Sequence, residues 1–138
     1  MQLGNYINAT KDFNKAVEIN SNFPEAFFNR GWIQGELGNY EKAILDYTKG
    51  LKLNSKDDLA FFNRGWNKGE LGRYKEAILD YNKAIKINPK NGMYYHHLGV
   101  TKILSGMSKE GCFDLERSAE LGHQFGTTKY QSYCTRYA

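Results

Sequence analysis

The sequence predicts an all-α solenoid built from antiparallel helix pairs with a 34-residue repeat. The segment Ala26–Trp32 returns unchanged as Ala60–Trp66, and aligning residues 24–57 with 58–91 gives 21 identities in 34 positions. Glycines at positions 4, 38, 72 and 106 keep the same spacing. A fixed period of this length indicates stacked supersecondary units, because each unit alone is too small to bury its own apolar face.

Each full repeat divides into two helices. Pro24 suits the first turn of a helix, and apolar residues then recur at three- and four-residue spacings until Gly38. Gly38 ends this helix because glycine tolerates positive φ, and a second amphipathic helix follows from Tyr40 to Leu53. The same pattern along the chain predicts no strand and eight helices, at 5–20, 25–37, 40–53, 59–71, 74–87, 93–105, 108–121 and 124–135.

The repeats are predicted to form one domain over residues 1–138. Its parts are the second helix of a truncated repeat (1–23), two full repeats (24–57 and 58–91), a degenerate repeat (92–123) and a C-terminal capping helix (124–138). Because the first unit lacks its first helix, the apolar stripe of Ala9, Phe13 and Ala16 should be partly uncovered. Either the chain is an excised piece of a longer array, or another chain covers this stripe.

These repeats resemble the tetratricopeptide repeat (TPR) family over roughly residues 1–123. The residues that carry the resemblance, besides the period, are Gly31, Gly65, Gly99, the Gly-x-Tyr turns at Gly38/Tyr40 and Gly72/Tyr74, and Ala43, Tyr47, Gly50, Ala77, Tyr81, Ala84 and Pro89. The resemblance implies a right-handed α-solenoid whose first helices line a concave face. The segment from Gly111 to Cys134 also resembles the closing segment of many bacterial members, which implies a cap.

The chain departs from the family pattern at two kinds of position. Arg30 and Arg64 stand where the family usually has an apolar residue, so each must find an acceptor or reach water, and Asp46 and Asp80 are the candidate acceptors. Gly111 stands where alanine is expected, and a glycine inside a helix costs about 1 kcal/mol relative to alanine.

The resemblance implies that the concave face binds a peptide or a protein segment. Its predicted peptide-binding residues are Phe28, Asn29, Trp32, Glu36, Phe62, Asn63, Trp66, Glu70, His96 and His97. Members that clamp a terminal carboxylate use lysines, and this chain has Phe28, Phe62 and His96 where those lysines would be needed. We therefore expect an aromatic groove with accessible asparagine amides. The alternative is that the tryptophans only fill the space between neighbouring helices.

Composition and motifs favour binding over catalysis. The chain has a net charge of +4, with basic residues interleaved with acids, which is typical of a solvated surface rather than a nucleic-acid site. No apolar run approaches the roughly 20 residues that span a membrane, and no signal peptide is visible. His96 and His97 are adjacent, so on a helix they cannot chelate one ion together. The sequence predicts no enzyme, no cofactor and no metal site.

The two cysteines leave the compartment open. Cys112 and Cys134 are almost symmetric about the turn at Gly122, so two antiparallel helices would bring them close. Both a disulfide and two reduced thiols fit this arrangement. We expect a cytoplasmic protein by default, and an extracytoplasmic one if the cysteines are bonded.

The sequence therefore predicts a non-enzymatic adaptor that binds a peptide or protein segment in its concave groove. The alternative is a structural self-association module, a homodimer for example, in which another copy covers the stripe of Ala9, Phe13 and Ala16.

Overall fold

The computed structural model describes residues 2–123 and 133–135, and none of these residues forms a strand. Its helices follow the predicted register. They are α1 (Gln2–Ile19), α2 (Pro24–Glu36), α3 (Tyr40–Leu53), α4 (Asp58–Glu70), α5 (Tyr74–Ile87), α6 (Gly92–Leu104) and α7 (Ser108–Glu120). The prediction of an all-α repeat architecture is confirmed.

Both ends differ in detail from the sequence prediction. Helix α1 begins at Gln2, three residues early, and it includes Gly4. Gly38 and Gly72 adopt φ values of +80° and +77° because they reverse the chain between two helices. Gly4, at the same 34-residue spacing, lies instead within α1. The predicted capping helix at 124–135 lies outside the described residues, except for a helical turn at 133–135.

Each first helix packs against its second helix through a glycine. Gly31 on α2 and Gly65 on α4 face the rings of Tyr47 and Tyr81, close enough that an added Cβ would lie 3.2 and 2.9 Å from ring carbons. The tyrosines are almost fully buried in the core. The helices stack in chain order, and the first helices α2, α4 and α6 also contact one another along one side.

Buried ion pairs join the helices at the positions that depart from the family pattern. Arg30 donates to Asp46 from Nε (2.9 Å) and Nη2 (2.7 Å), and its Nη1 donates to Asn14 on α1. Arg64 repeats this geometry with Asp80, at 2.9 and 2.7 Å, and its Nη1 donates to Thr48 on α3. Each arginine therefore ties its own helix to the helices before and after it.

The third repeat uses a modified version of the same packing. Leu98 replaces the arginine, and the carboxylate of Asp114 is bound instead by Lys102 at 2.7 Å. Gly99 and Gly111 face each other, so that a Cβ on either would lie about 2.6 or 2.5 Å from the carbonyl oxygen of the other. The close approach of α6 and α7 therefore requires Gly111. From the sequence alone, this glycine is expected only to lower the stability of its helix.

A disulfide between Cys112 and Cys134 ties α7 to the turn at 133–135, with the two Cα atoms 5.5 Å apart. Ser108 and the hydroxyl of Tyr133 are hydrogen-bonded at 2.6 Å beside it. Among the described residues, the two cysteines are thus bonded to each other, and none is left as a free thiol.

Asp80→Asn should lower the free energy of unfolding by about 3–5 kcal/mol. Asp80 is 1% exposed and accepts from both Arg64 and Lys68, so the substitution leaves two cations without their buried counter-charge. The matched control is Glu41→Gln, which removes an exposed partner of Arg73 and should cost less than about 1 kcal/mol. Urea denaturation measures both variants. Equal stability of Asp80→Asn and the control would contradict the ion-pair account.

Cys112→Ala/Cys134→Ala should lower the free energy of unfolding by about 2–4 kcal/mol, because the bond closes a loop between residues 22 apart in sequence. Urea denaturation with and without dithiothreitol checks this. Reductant should lower the unfolding midpoint of the wild type and leave that of the double variant unchanged. Two free thiols by mass spectrometry of the untreated protein would show that the bond does not form.

Candidate functional site

The side of the solenoid formed by the first helices carries an open groove between α2 and α4. Two adjoining cavities form it, with volumes of about 190 and 260 Å³. Trp32, Tyr47 and Asn63 line both cavities, so the surface between them is continuous. The first cavity extends to α6 through Met93 and His97. We call these two cavities the groove.

The tryptophans stand at the wall of the groove rather than inside the core. Trp32 is 47% exposed, and its ring meets the edge of Tyr6 with centroids 5.8 Å apart. Trp66 is half-buried and meets Tyr40 in the same way at 5.9 Å. Each ring is held from one side by a tyrosine of the preceding unit. This arrangement leaves indole surface open to a ligand, most of all at Trp32.

The two asparagines differ. The side chain of Asn29 is exposed and makes no hydrogen bond within the part of the chain that the structure describes. Asn63 is half-buried and lines the groove beside Tyr47, whose hydroxyl pKa is raised by burial. The amide of Asn63 is therefore less accessible than that of Asn29.

Phe28 and Phe62 occupy equivalent positions and have different surroundings. Phe62 is 6% exposed and packs against Tyr94 at 4.9 Å and His97 at 5.0 Å, so it belongs to the core and only borders the groove. Phe28 is half-buried, stacks on Tyr47 and lines the groove. The next repeat explains the difference. The residues 34 positions before Tyr94 and His97 are Ala60 and Asn63, and the small Ala60 leaves the space open.

The predicted residues of the third repeat do not all face the groove. His97 lines it, and its Nδ1 lies 3.0 Å from the carbonyl oxygen of Met93. His96 instead lies against His123, with ring centroids 5.2 Å apart. Burial, with repulsion from His97 and His123, lowers the pKa of His96 to about 4, so its ring is neutral at pH 7. No His, Cys, Asp or Glu cluster in the described residues could hold a metal ion.

The two carboxylates predicted to bind peptide, those of Glu36 and Glu70, differ in their position relative to the groove. Glu36 is exposed and lines the groove next to both tryptophans. Glu70, its equivalent one repeat later, is exposed outside the groove.

Asn67 is a groove residue that the sequence analysis missed. It is 2% exposed, and its Nδ2 donates to the carbonyl oxygen of Asn63 at 2.7 Å. Its Oδ1 faces Gly35, where an added Cβ would lie 2.8 Å away, and it has no hydrogen-bond partner within the described residues. Both Asn67 and Gly35 line the groove. The available signal was an amide where the neighbouring repeats have Ile33 and Thr101.

The open N-terminal face forms a third cavity, of about 370 Å³, between α1 and α2. Ala9 and Phe13 line it together with Trp32, so it adjoins the groove. Ala9, Phe13 and Ala16 are half-buried, whereas Ala43 and Tyr47, which repeat Ala9 and Phe13, are 0% and 1% exposed. The stripe is thus less covered than its counterparts in the following repeats. Within residues 2–123 and 133–135, no helix is both long and apolar enough to cross a bilayer.

Solved structures with the same fold cover most of the chain. A crystal structure of MamA aligns with a TM-score of 0.85 and 16% identity, over 97% of this chain and 85% of that chain. The first TPR of Spaghetti, bound to the HSP90 peptide SRMEEVD, aligns with a TM-score of 0.77 and 24% identity, over 82% and 90%. YrrB, described as a TPR protein with an unusual peptide-binding site, aligns at 0.72 and 27%, over 80% and 57%.

Sequence comparison identifies the repeats directly. No curated protein matches the chain. One family model described as tetratricopeptide repeat matches residues 24–57 and 59–91, and a second model of the same description matches residues 1–23. Together they cover more than half of the 138 residues, in the register of the helix pairs. The chain therefore belongs to the tetratricopeptide repeat family, whose members are generally protein-interaction modules rather than enzymes.

Proposed function

We propose that the protein is a non-enzymatic adaptor that binds a peptide or protein segment in the groove. The observation that carries this proposal is the continuous concave surface around Trp32, which combines open indole faces with the amide of Asn29. Aromatic side chains contribute large apolar contact area at binding surfaces. An amide offers both a donor and an acceptor, as a peptide backbone requires.

Two similar proteins of this fold support a peptide-binding function. The Spaghetti repeat domain holds an HSP90 peptide, and YrrB is described as having a peptide-binding site. The acidic HSP90 peptide is not the expected ligand here. The positions that would need lysines for a carboxylate clamp hold Phe28, Phe62 and His96, and Phe62 is buried in the core.

The alternative is self-association through the N-terminal face. The cavity between α1 and α2 favours it, because the half-buried Phe13 is accompanied by Leu3 and Ile7, which are exposed on the same helix. Burial of this apolar surface against another copy would contribute roughly 25 cal/mol per Å² to the free energy of association.

The disulfide bears on the compartment in which the proposed adaptor acts. Disulfides persist in oxidising environments and are rare in the reducing cytoplasm. A bond between Cys112 and Cys134 therefore favours an extracytoplasmic site of action.

Trp66→Ala should weaken binding of a peptide selected on the wild-type protein from a random library by at least about 2 kcal/mol. Asn29→Ala should weaken it by about 1 kcal/mol and leave the melting temperature unchanged, because Asn29 makes no hydrogen bond among the described residues. Isothermal titration and thermal melts on the same samples give both quantities. Phe113→Ala, an exposed aromatic on α7, is the matched control. If Trp66→Ala lowers stability strongly and leaves affinity intact, the tryptophans are only filler.

The self-association alternative predicts that the mass by sedimentation equilibrium rises with protein concentration. Phe13→Glu should return the mass to that of a monomer, because it places a charge in the apolar cavity. Phe113→Glu places the same charge on α7 and should leave the association unchanged. A wild type that is monomeric at every concentration would exclude this alternative.

A further inference from the structure

We propose that the ligand of the groove is a basic peptide segment, bound through an arginine or lysine side chain between the tryptophans and Glu36. This inference rests on the proposed peptide-binding function. It follows from where the charges of the first helices point, from the carboxylates that line the groove, and from the buried oxygen of Asn67.

Every cation on the first helices is turned away from the groove. Helices α2, α4 and α6 carry four cations, namely Arg30, Arg64, Lys68 and Lys102. All four pair with carboxylates of the second helices, at N···O distances between 2.7 and 3.0 Å. Among the described residues, the groove lining accordingly contains no lysine and no arginine.

The acids are distributed in the opposite way. Glu36 lines the groove beside the tryptophans, and Glu25 and Asp57 line its other cavity. Within the described residues no cation pairs with any of the three. The chain as a whole has a net charge of +4, so the groove is an acidic concavity in a basic protein. A cleft lined by one sign of charge attracts ligands of the opposite sign.

The aromatic walls suit the same ligand. Trp32 and Trp66 border the cavity that contains Glu36, and a tryptophan face is the strongest cation-binding surface among the aromatic side chains. A guanidinium group can stack on an indole while its edge donates to a carboxylate. The groove therefore offers a cation both a ring face and a counter-charge.

Asn67 supplies an independent observation. Only its Nδ2 can donate to the carbonyl oxygen of Asn63, so this bond fixes Oδ1 on the side that faces Gly35 at the groove floor. That oxygen is buried without a partner among the described residues, and such groups are rare because an unmade hydrogen bond is costly. Its missing partner must be a donor. Arginine and lysine side chains carry only donors, whereas a carboxylate would set acceptor against acceptor.

Selection from a random dodecapeptide library displayed on phage tests the proposal, with the wild-type protein as target. We expect enriched sequences with net positive charge. A synthetic enriched peptide should bind Glu25→Gln/Glu36→Gln about tenfold more weakly than the wild type, and rising salt should weaken it steeply. The matched control is Glu76→Gln/Glu116→Gln, which removes two exposed carboxylates from α5 and α7 and should change affinity less than about twofold. Circular dichroism verifies that both variants fold.

Three results would overturn the proposal, and they differ in whether they also overturn the peptide-binding function of the groove. Enrichment of acidic or uncharged peptides whose binding depends on Trp66 would overturn the basic ligand and leave the groove function standing. Basic peptides that bind both double variants equally would show that the groove carboxylates do not recognise the ligand. This result would also overturn the proposal and leave the groove function standing. No enrichment, or binding that Trp66→Ala leaves unchanged, would overturn the basic ligand and the groove function together.

Discussion

The ion pairs between first and second helices are the interaction on which the rest of the structure depends. Arg64 reaches Asp80 on the following helix and Thr48 on the preceding one, so one guanidinium group sets the spacing of three helices. Removing one partner from such a pair leaves a buried charge uncompensated, which costs about 3–5 kcal/mol. In the third repeat, where leucine replaces the arginine, Lys102 pairs with the equivalent carboxylate, that of Asp114. The helix pairs therefore keep an ion-paired carboxylate at this position, buried in Asp46 and Asp80 and half-buried in Asp114, even where its partner changes.

The same pairs determine the character of the concave surface. Because the cations of the first helices are bound behind the groove, the groove itself presents acids, indoles and amides. The tryptophans are in turn held by tyrosines of the preceding unit, which places Trp32 where the groove and the N-terminal cavity meet. A ligand along the groove and a partner on the N-terminal face would thus share Asn29 and Trp32, and the two modes of binding would compete for them.

The sequence predicted the helices and the ion pairs because both follow from local pattern. The 34-residue period fixes the helix register, and an arginine at an interior position requires an acceptor, which Asp46 and Asp80 supply. The sequence did not predict that Phe28 and Phe62 differ in exposure, since the repeats are identical at these positions. Their exposure is decided by the next repeat, which places Ala60 beside one and Tyr94 beside the other. The burial of Asn63 and Asn67 likewise depends on packing between helices, which periodicity does not specify.

The proposed binding surface is the concave groove around the two tryptophans. Nuclear magnetic resonance of the nitrogen-15-labelled protein tests it most directly, by titration with a peptide selected on the wild type. The two tryptophans give two indole N–H signals, and Trp→Phe variants assign them. The largest shifts should fall on these indoles and on the side-chain amides of Asn29 and Asn63. Shifts confined to the second helices α3, α5 and α7, with both indole signals unmoved, would contradict the claim.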